Sequence, residues 1–403
     1  MNFPSLNEQI DIIKSGTVEI IPEDQLVKKI ENSIQKKIPL NIKLGCDPSR
    51  PDLHLGHSVV LRKLRQFQDL GHNAILIIGD FTGMIGDPSG KNKTRPPLTL
   101  EETKQNGKSY FEQASKILLK EKTQILYNSD WLQKMNFSDV IKLASNYTIA
   151  RMLERDDFTE RFKSGTPISM HEFLYPLAQA MDSVSIKSDI ELGGTDQKFN
   201  LLVGRDIQIS YSQTPQVIIT MPILVGTDGI NKMSKSLNNY IGIDDSPKDM
   251  YGKILSIPDN LIYDYFLLTT DLNKIEIQKI KLELDNSNTN PRNLKRKLAR
   301  QIVKQYYDEA TGLKEEENFD AIFVRKEIPE IIEEYFCESL TNKNILEILL
   351  ETNLTSSKSE ARRLLSQGGI SIDGEKIIDQ NFFPNKKEFV IKVGKRKFLK
   401  LIS

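Results

Sequence analysis

The sequence predicts an α/β protein whose first part is built on a parallel sheet, followed by an all-helical segment and a small α+β module. Three observations predict it. Over roughly the first 230 residues, short apolar runs alternate with longer segments of helical period. From Ser246 to about Phe336 the strand signal gives way to helix-like segments broken at Pro258, Pro291 and Pro329. The last 60 or so residues return to short strands after Gly368-Gly369. A length of 403 residues fits two to three domains at roughly 150 residues each. The expected boundaries are 1–230, 231–337 and 343–403, with a linker near 338–343.

In order along the chain, IKLG (42–45), AILIIGDF (74–81), QILYN (124–128) and VIITMPIL (217–224) read as strands of the parallel sheet. Between the first two, Val60, Leu61, Leu64 and Phe67 recur at helical spacing, and Gly71 stands where a helix should stop. In the helical segment, Arg292 to Lys304 carries six basic residues (Arg292, Lys295, Arg296, Lys297, Arg300, Lys304) and no acid. A solvated face is the ordinary reading, and a phosphate contact the alternative. Two helix-like runs, 344–351 and 357–366, then lead into ISI, VIKV and FLKLI.

Composition narrows the class. No run approaches the ~18–20 apolar residues that span a bilayer, and the N-terminus lacks the basic start and apolar block of a secretion signal. With two cysteines, Cys46 and Cys337, a reducing, cytoplasmic compartment is expected. The 55 basic and 55 acidic residues cancel, which excludes a uniformly cationic nucleic-acid coat. They are unevenly spread: from Lys343 onward there are 12 Lys/Arg against 7 Asp/Glu, so the first 342 residues carry a compensating negative balance.

Five constellations carry chemistry. In DPSRPDLHLGH (47–57), His54 and His57 lie three apart at a strand-to-helix junction, where free backbone N–H groups and the helix dipole favour an anion such as a phosphate chain. A metal pair is the rival, but HxxH with no third ligand nearby is a poor zinc signature, and capping or packing is a further reading. GDFTGMIGDPSGK (79–91) is not a P-loop. Three residues separate Gly86 from Gly90 where four are required, and Asn92 stands where magnesium needs Ser or Thr. Asp87 there would repel phosphate but suit an ammonium group. In HEFLYPLAQAMDSV (171–184), Tyr175, Gln179 and Asp182 fall within about 60° of arc on a helix, a polar stripe that is a pocket wall or a solvent face. In ELGGTDQKFN (191–200), Gly193, Gly194 and Asp196 suit a ribose, with the carboxylate gripping a vicinal diol. Finally KMSKS (232–236) lies among turn residues, where two lysines three apart can swing onto a pyrophosphate or simply be solvated.

In this order the motifs resemble the class I aminoacyl-tRNA synthetases, and HxGH, GDFTGMIGDPSG, the stripe, GGTDQ and a tail similar to the ribosomal S-four type RNA-binding module point within that class to the tyrosyl-tRNA synthetase family. The resemblance covers essentially the whole chain. It implies a Rossmann-like doubly wound catalytic domain with a dimerisation insertion near 110–165, a helical anticodon-binding domain and an RNA-binding module. It implies tyrosine activation by ATP with magnesium carried on the phosphates, no tightly bound cofactor, transfer to tRNA(Tyr), and a homodimer with no membrane contact. His54 and His57 would stabilise the phosphates, with Lys232, Lys235 and Ser236 closing over them and Met233 beside the nucleotide. Asp87, Tyr175 and Gln179 would hold the substrate ammonium and Asp182 its phenol. Gly56, Gly193 and Asp196 would line the nucleoside site and Gln197 would lie near the carboxylate, with Asp47 and Thr82 bordering the pocket.

Three positions depart from the family pattern. Lys43 replaces a tyrosine that helps bind the substrate hydroxyl, and Lys198 and Glu191 replace an aromatic residue and a glutamine. The implied chemistry needs no protein nucleophile, only positioning and cations, histidines and lysines, where charge develops. The rivals are a tryptophanyl-tRNA synthetase, which normally lacks such a tail, and a catalytically inactive relative, against which the intact histidines and lysines argue.

Overall fold

A computed structural model describes residues 3–47, 52–86, 100–323, 325, 332–337, 340–394 and 397–403. The chain forms two compact units, Met1–Gly312 and Leu313–Ser403.

The first unit is organised by a six-stranded sheet of β1 (Glu19–Ile21), β2 (Asn41–Cys46), β3 (Asn73–Ile78), β4 (Thr123–Tyr127), β5 (Ile190–Gly194) and β6 (Val217–Met221), in the order β1-β6-β5-β2-β3-β4. All neighbours are parallel except β1, which runs antiparallel to β6. Ala74–Ile78 and Val217–Met221 are buried throughout, as strands covered on both faces must be. The four expected strands are present. The fifth parallel strand, β5, coincides with the ELGG that reads from sequence as a ligand-binding turn. Its five residues include a buried glutamate and two glycines, so apolar patterning cannot announce it.

Strand order runs outward from β2 to β3 and β4, then restarts on the other side of β2 with β5 and β6. The order therefore reverses between β2 and β5, and a ligand crevice belongs outside the carboxyl ends of those strands. Two helices frame it. Leu55–Asp69 buries Leu61, Leu64 and Phe67 and stops before Gly71, whose φ of +92° ends it at no steric cost. Met170–Ile186 starts at a capping box of Ser169 and Glu172 and carries the stripe; Pro176 lies inside it, in the buried wall.

The expected helical segment is present as Pro247–Leu255, Ile262–Thr269, Lys274–Asp285, Pro291–Tyr306 and Glu309–Phe323. Its basic row is less available than the sequence suggests. Lys295 pairs with Asp259 at 2.5 Å, Lys297 with Glu283 at 3.4 Å and Lys304 with Glu309 at 3.1 Å, acids brought in by other segments.

In the second unit, helices Ile345–Glu351 and Lys358–Ser366 share a core with β7 (Glu334–Phe336), β8 (Ile370–Ile372), β10 (Glu388–Val393) and β11 (Lys397–Ile402), while β9 (Glu375–Lys376) is exposed at the sheet edge. Leu349, Leu365, Ile391 and Leu401 are its buried centre. The sheet order is β7-β11-β10-β8-β9. β7 lies ahead of the linker expected at 338–343; its three residues, too few to show periodicity, are held parallel to β11 by backbone pairing, by Tyr335 packed on the core and by the Glu334–Lys400 pair at 3.0 Å. Among the described residues no helix is long and apolar enough to cross a membrane.

Candidate active site

A cleft of about 450 Å3 opens where strand order reverses. Residues following β2, β3, β5 and β6 line it, together with the two framing helices and the KMSKS loop. Asp47, His54, Gly56, His57, Thr82, Tyr175, Gln179, Asp182, Gly193, Gly194, Asp196, Gln197, Lys232, Met233, Lys235 and Ser236 all line this one cavity. Asp87 lies outside the described residues.

At one end the two histidines do something the sequence does not reveal. His54 caps the helix Leu55–Asp69: its Nδ1 accepts the Gly56 N–H at 3.1 Å, while His57 Nδ1 accepts the His54 N–H at 3.2 Å. Leu55 and His57 N–H donate to the Ile241 and His54 carbonyls, both at 2.9 Å. These backbone donors are therefore already used, which corrects the expectation of free N–H groups for an anion. What replaces them follows from tautomer logic. A neutral imidazole whose Nδ1 accepts carries its proton on Nε2, so each ring is a Nε2–H donor. Burial, with the neighbouring His57 and Lys235 charges adding to it, pushes His54 down to about 2; burial and then Lys235 push His57 to about 4. Both rings are thus neutral donors rather than cations. Gly56 is required here because a Cβ would lie 2.9 Å from the His54 ring.

The KMSKS loop supplies the positive charge. It is the return arm of a turn in which Val225 bridges Lys232 and the Met233 N–H donates to the Leu224 carbonyl at 2.9 Å. Asn239, 3% exposed, pins it: its Oδ1 accepts the Ser234 N–H at 2.7 Å and its Nδ2 donates to the Lys232 carbonyl at 3.1 Å. Met233 is buried, and the lysines rest on carboxylates at the cleft, Lys232 on Asp196 at 3.5 Å and Lys235 on Asp52. Ser236 Oγ meets Ser234 Oγ at 2.8 Å. Two lysines parked on single exposed acids can transfer to a polyphosphate, which offers each more charge.

At the other end lies Asp182, 3% exposed. The Trp131 indole donates to its Oδ1 at 2.9 Å, and Asn128 Nδ2 reaches its Oδ2 at 3.5 Å. Burial raises its carboxyl to about 7, against the pull of Lys43 and the Trp131 hydrogen bond. Asn128 also donates to Thr82 Oγ (3.0 Å), Thr82 donates to Asp47 Oδ1 (2.7 Å), and Tyr175 donates its hydroxyl to Asp47 Oδ2 (2.8 Å). A side chain at Gly79 would collide with the Asp47–Thr82 pair. Gln179 Nε2 donates to Glu191 at 3.3 Å, which leaves its Oε1 as an acceptor. Gln197 Oε1 accepts from Asn200, itself held by Arg155.

Asn128 and Trp131 are absent from the expected set. A signal existed: NSDW directly follows the carboxyl end of a parallel strand, and Trp131 is the chain's one tryptophan. Lys198 forms an exposed pair with Glu19 at 2.8 Å.

Neutral donors, ammonium groups and a buried carboxylate thus share one crevice. The profile described as tRNA synthetases class I (W and Y) matches residues 35–324, and that of the tyrosine-tRNA ligase SYY-like C-terminal domain matches 324–401. The tyrosine-tRNA ligase of Chlorobaculum tepidum is 58% identical, covering 100% of this chain and 98% of the relative. That of Thermotoga maritima is 54% identical, covering 98% and 97%. Among solved structures, an Archaeoglobus fulgidus tyrosyl-tRNA synthetase complexed with L-tyrosine superposes with a TM-score of 0.64 at 22% identity, over 77% of this chain and 100% of that one. A C-terminally truncated mitochondrial enzyme of Aspergillus nidulans gives 0.64 at 22% over 79% and 94%, a likeness of fold. With the class I profile spanning most of the chain and close relatives matching its whole length, the chain belongs to the tyrosine-tRNA ligase family of the class I aminoacyl-tRNA synthetases.

Proposed function

We infer that the protein activates tyrosine with ATP to tyrosyl-adenylate, releasing pyrophosphate, and transfers the tyrosyl group to the 3′ end of its tRNA. The observation that carries the reading is Asp182, a carboxylate withdrawn from water at the closed end of the cleft that contains the histidines and KMSKS lysines. An incoming phenol supplies a further donor to a carboxylate that Trp131 and Asn128 satisfy only in part, whereas phenylalanine leaves it desolvated with that shortfall unfilled.

The substrate carboxylate attacks the α-phosphorus, the bond to the bridging oxygen breaks, and negative charge grows on the departing pyrophosphate. ATP enters as its magnesium complex. His54 and His57 donate through Nε2–H to the phosphates, and Lys232, Lys235 and Ser236 leave their resting partners to close over them. Met233, Gly56, Gly193 and Asp196 border the nucleoside, with Asp196 on the ribose hydroxyls. Tyr175, Gln179 Oε1 and Asp87 receive the ammonium group, Gln197 faces the carboxylate, and Asp47 and Thr82 hold Tyr175 in place. Residues 231–337 serve the anticodon region, and 343–403 bind RNA. Support for a homodimer comes from Phe137, Ile149, Phe162 and Met170, large apolar side chains exposed by 61% or more near the insertion. A cytoplasmic location completes the reading.

Pyrophosphate exchange measured with all twenty amino acids tests it. Exchange is expected with tyrosine alone. Equal exchange with tryptophan, or none with any amino acid, would overturn it.

A further inference from the structure

Two of the family departures are a single feature. Lys43 on β2 and Glu191 on β5 are parallel neighbours, 0% and 1% exposed, with Nζ 2.8 Å from Oε1. Lys43 also donates to Ser183 Oγ at 2.8 Å and to the Gln179 carbonyl at 3.0 Å. Glu191 accepts from Ser183 Oγ at 3.1 Å, Gln179 Nε2 at 3.3 Å and Gln216 Nε2. Room for the cluster depends on Gly204, where a Cβ would lie 2.7 Å from Gln216 Nε2 and 3.2 Å from Glu191 Oε2. Neither charge lines the cleft. A buried ion pair is weak evidence for stability, since apolar residues of similar volume often hold a fold as well. What sets this pair apart is where its bonds go. They end on Gln179 and Ser183, which flank Asp182 in the helix Met170–Ile186.

We propose that Lys43 and Glu191 are a positioning pair for substrate selection: bonded to Gln179 and Ser183 on either side of Asp182, Lys43 sets its positive charge behind the phenol-reading carboxylate, and the pair orients the Gln179 side chain toward the substrate ammonium. The proposal rests on the tyrosine site described above. Among the described residues the charges acting on Asp182 are Lys43, which lowers its carboxyl, and Glu191, which raises it; Trp131 and Asn128 add hydrogen bonds, and burial outweighs them all to give about 7. Of the helices packed on the same helix, Lys198–Ser210, Thr82–Ile85 and Phe137–Ser145 supply none of the leading contributions, and Ser129–Leu132 supplies the Trp131 hydrogen bond. Lys43 thus stands where a hydroxyl partner is expected and works from behind, by charge.

Loss of Lys43 lets burial act with less opposition, so the Asp182 carboxyl titrates at higher pH and is neutral over more of the working range. Tyrosine and ATP KM values in pyrophosphate exchange, from about pH 6 to about 9.5, read this out for the native protein, Lys43→Met, Lys43→Met with Glu191→Gln, and Asp182→Asn. The native tyrosine KM rises as pH falls through about 7. In Lys43→Met that midpoint moves up by about one pH unit or more, so the tyrosine KM at pH 7 is about fivefold higher and recovers toward pH 9, with the ATP KM unchanged. The double variant leaves no unpaired buried charge to threaten folding, and shifts the midpoint the same way by less. A purely structural role would instead lower kcat and raise both KM values at every pH, and that overturns the proposal. So does an unmoved midpoint in either folded variant, while a weakened and pH-independent tyrosine KM in Asp182→Asn leaves the phenol site itself standing. An unaltered tyrosine KM in Asp182→Asn removes both.

Discussion

Asp182 combines the two properties that selection by a single residue needs, burial and incomplete satisfaction. Trp131 and Asn128 hold its oxygens, yet the carboxyl still titrates near 7 because the protein gives it less stabilisation than water would. In Asp182→Asn, tyrosine kcat/KM is expected to fall by ~10- to 100-fold, the worth of a hydrogen bond to a charged group, and the preference for tyrosine over phenylalanine to shrink with it. Competitive exchange assays check this, and unchanged selectivity would refute the assignment. The same substitution should raise the melting temperature at pH 8. A carboxyl near 7 in the folded state, against about 3.9 in the unfolded chain, means the folded form binds more protons between those values. Its charge therefore opposes folding increasingly as pH rises from about 4 to 7, and an amide removes that opposition. The stripe of Tyr175, Gln179 and Asp182 is legible from helical period; that Lys43 and Glu191 sit behind it is not, because their pairing is created by strand register.

Among the elements, the start of the helix Leu55–Asp69 shows how one side chain can both hold structure and face a substrate. His54 caps through Nδ1 and keeps Nε2–H for the cleft. The two roles separate by substitution. Asparagine is among the best N-cap residues, so His54→Asn is expected to keep stability within ~1 kcal/mol yet lose ~100-fold or more in exchange rate. His54→Ala should lose both, with ~1 kcal/mol of destabilisation from the missing cap. Thermal melts beside exchange kinetics distinguish them; full activity in His54→Asn would show that the ring serves the helix alone. HxGH reads from sequence as a helix start with free donors, but the histidines and the Ile241 carbonyl occupy those donors. Likewise β5 hides inside ELGG, because a central strand carrying a paired glutamate and two glycines has no apolar signature.

For the whole molecule, the division that matters is between the unit holding the cleft and the unit holding the basic tail. β7 pairs with β11, so removing 343–403 alone would strand Glu334–Phe336 without its partner. A truncation after Phe323 takes the second sheet out entire. It is expected to leave tyrosine-dependent pyrophosphate exchange within about twofold of the full chain, while tRNA charging falls by at least ~10-fold, since Lys and Arg contacts to phosphate dominate such affinity. Filter binding of tRNA across a salt series and charging assays check it, and equal loss of exchange would count against a separable role.

Read alone, the sequence determined what is written in local order: the alternation that makes a parallel sheet, the helical tract and terminal module, and the motifs whose chemistry is carried by residue type and short spacing. Tertiary structure decided the charge state of the histidines, the mate of Lys43, the second strand at the crevice, and the burial that turns Asp182 from a surface acid into a selector. Those depend on what the chain brings together from distant positions and on how much water is excluded there, and hydration and long-range pairing leave no trace in the order of neighbouring residues.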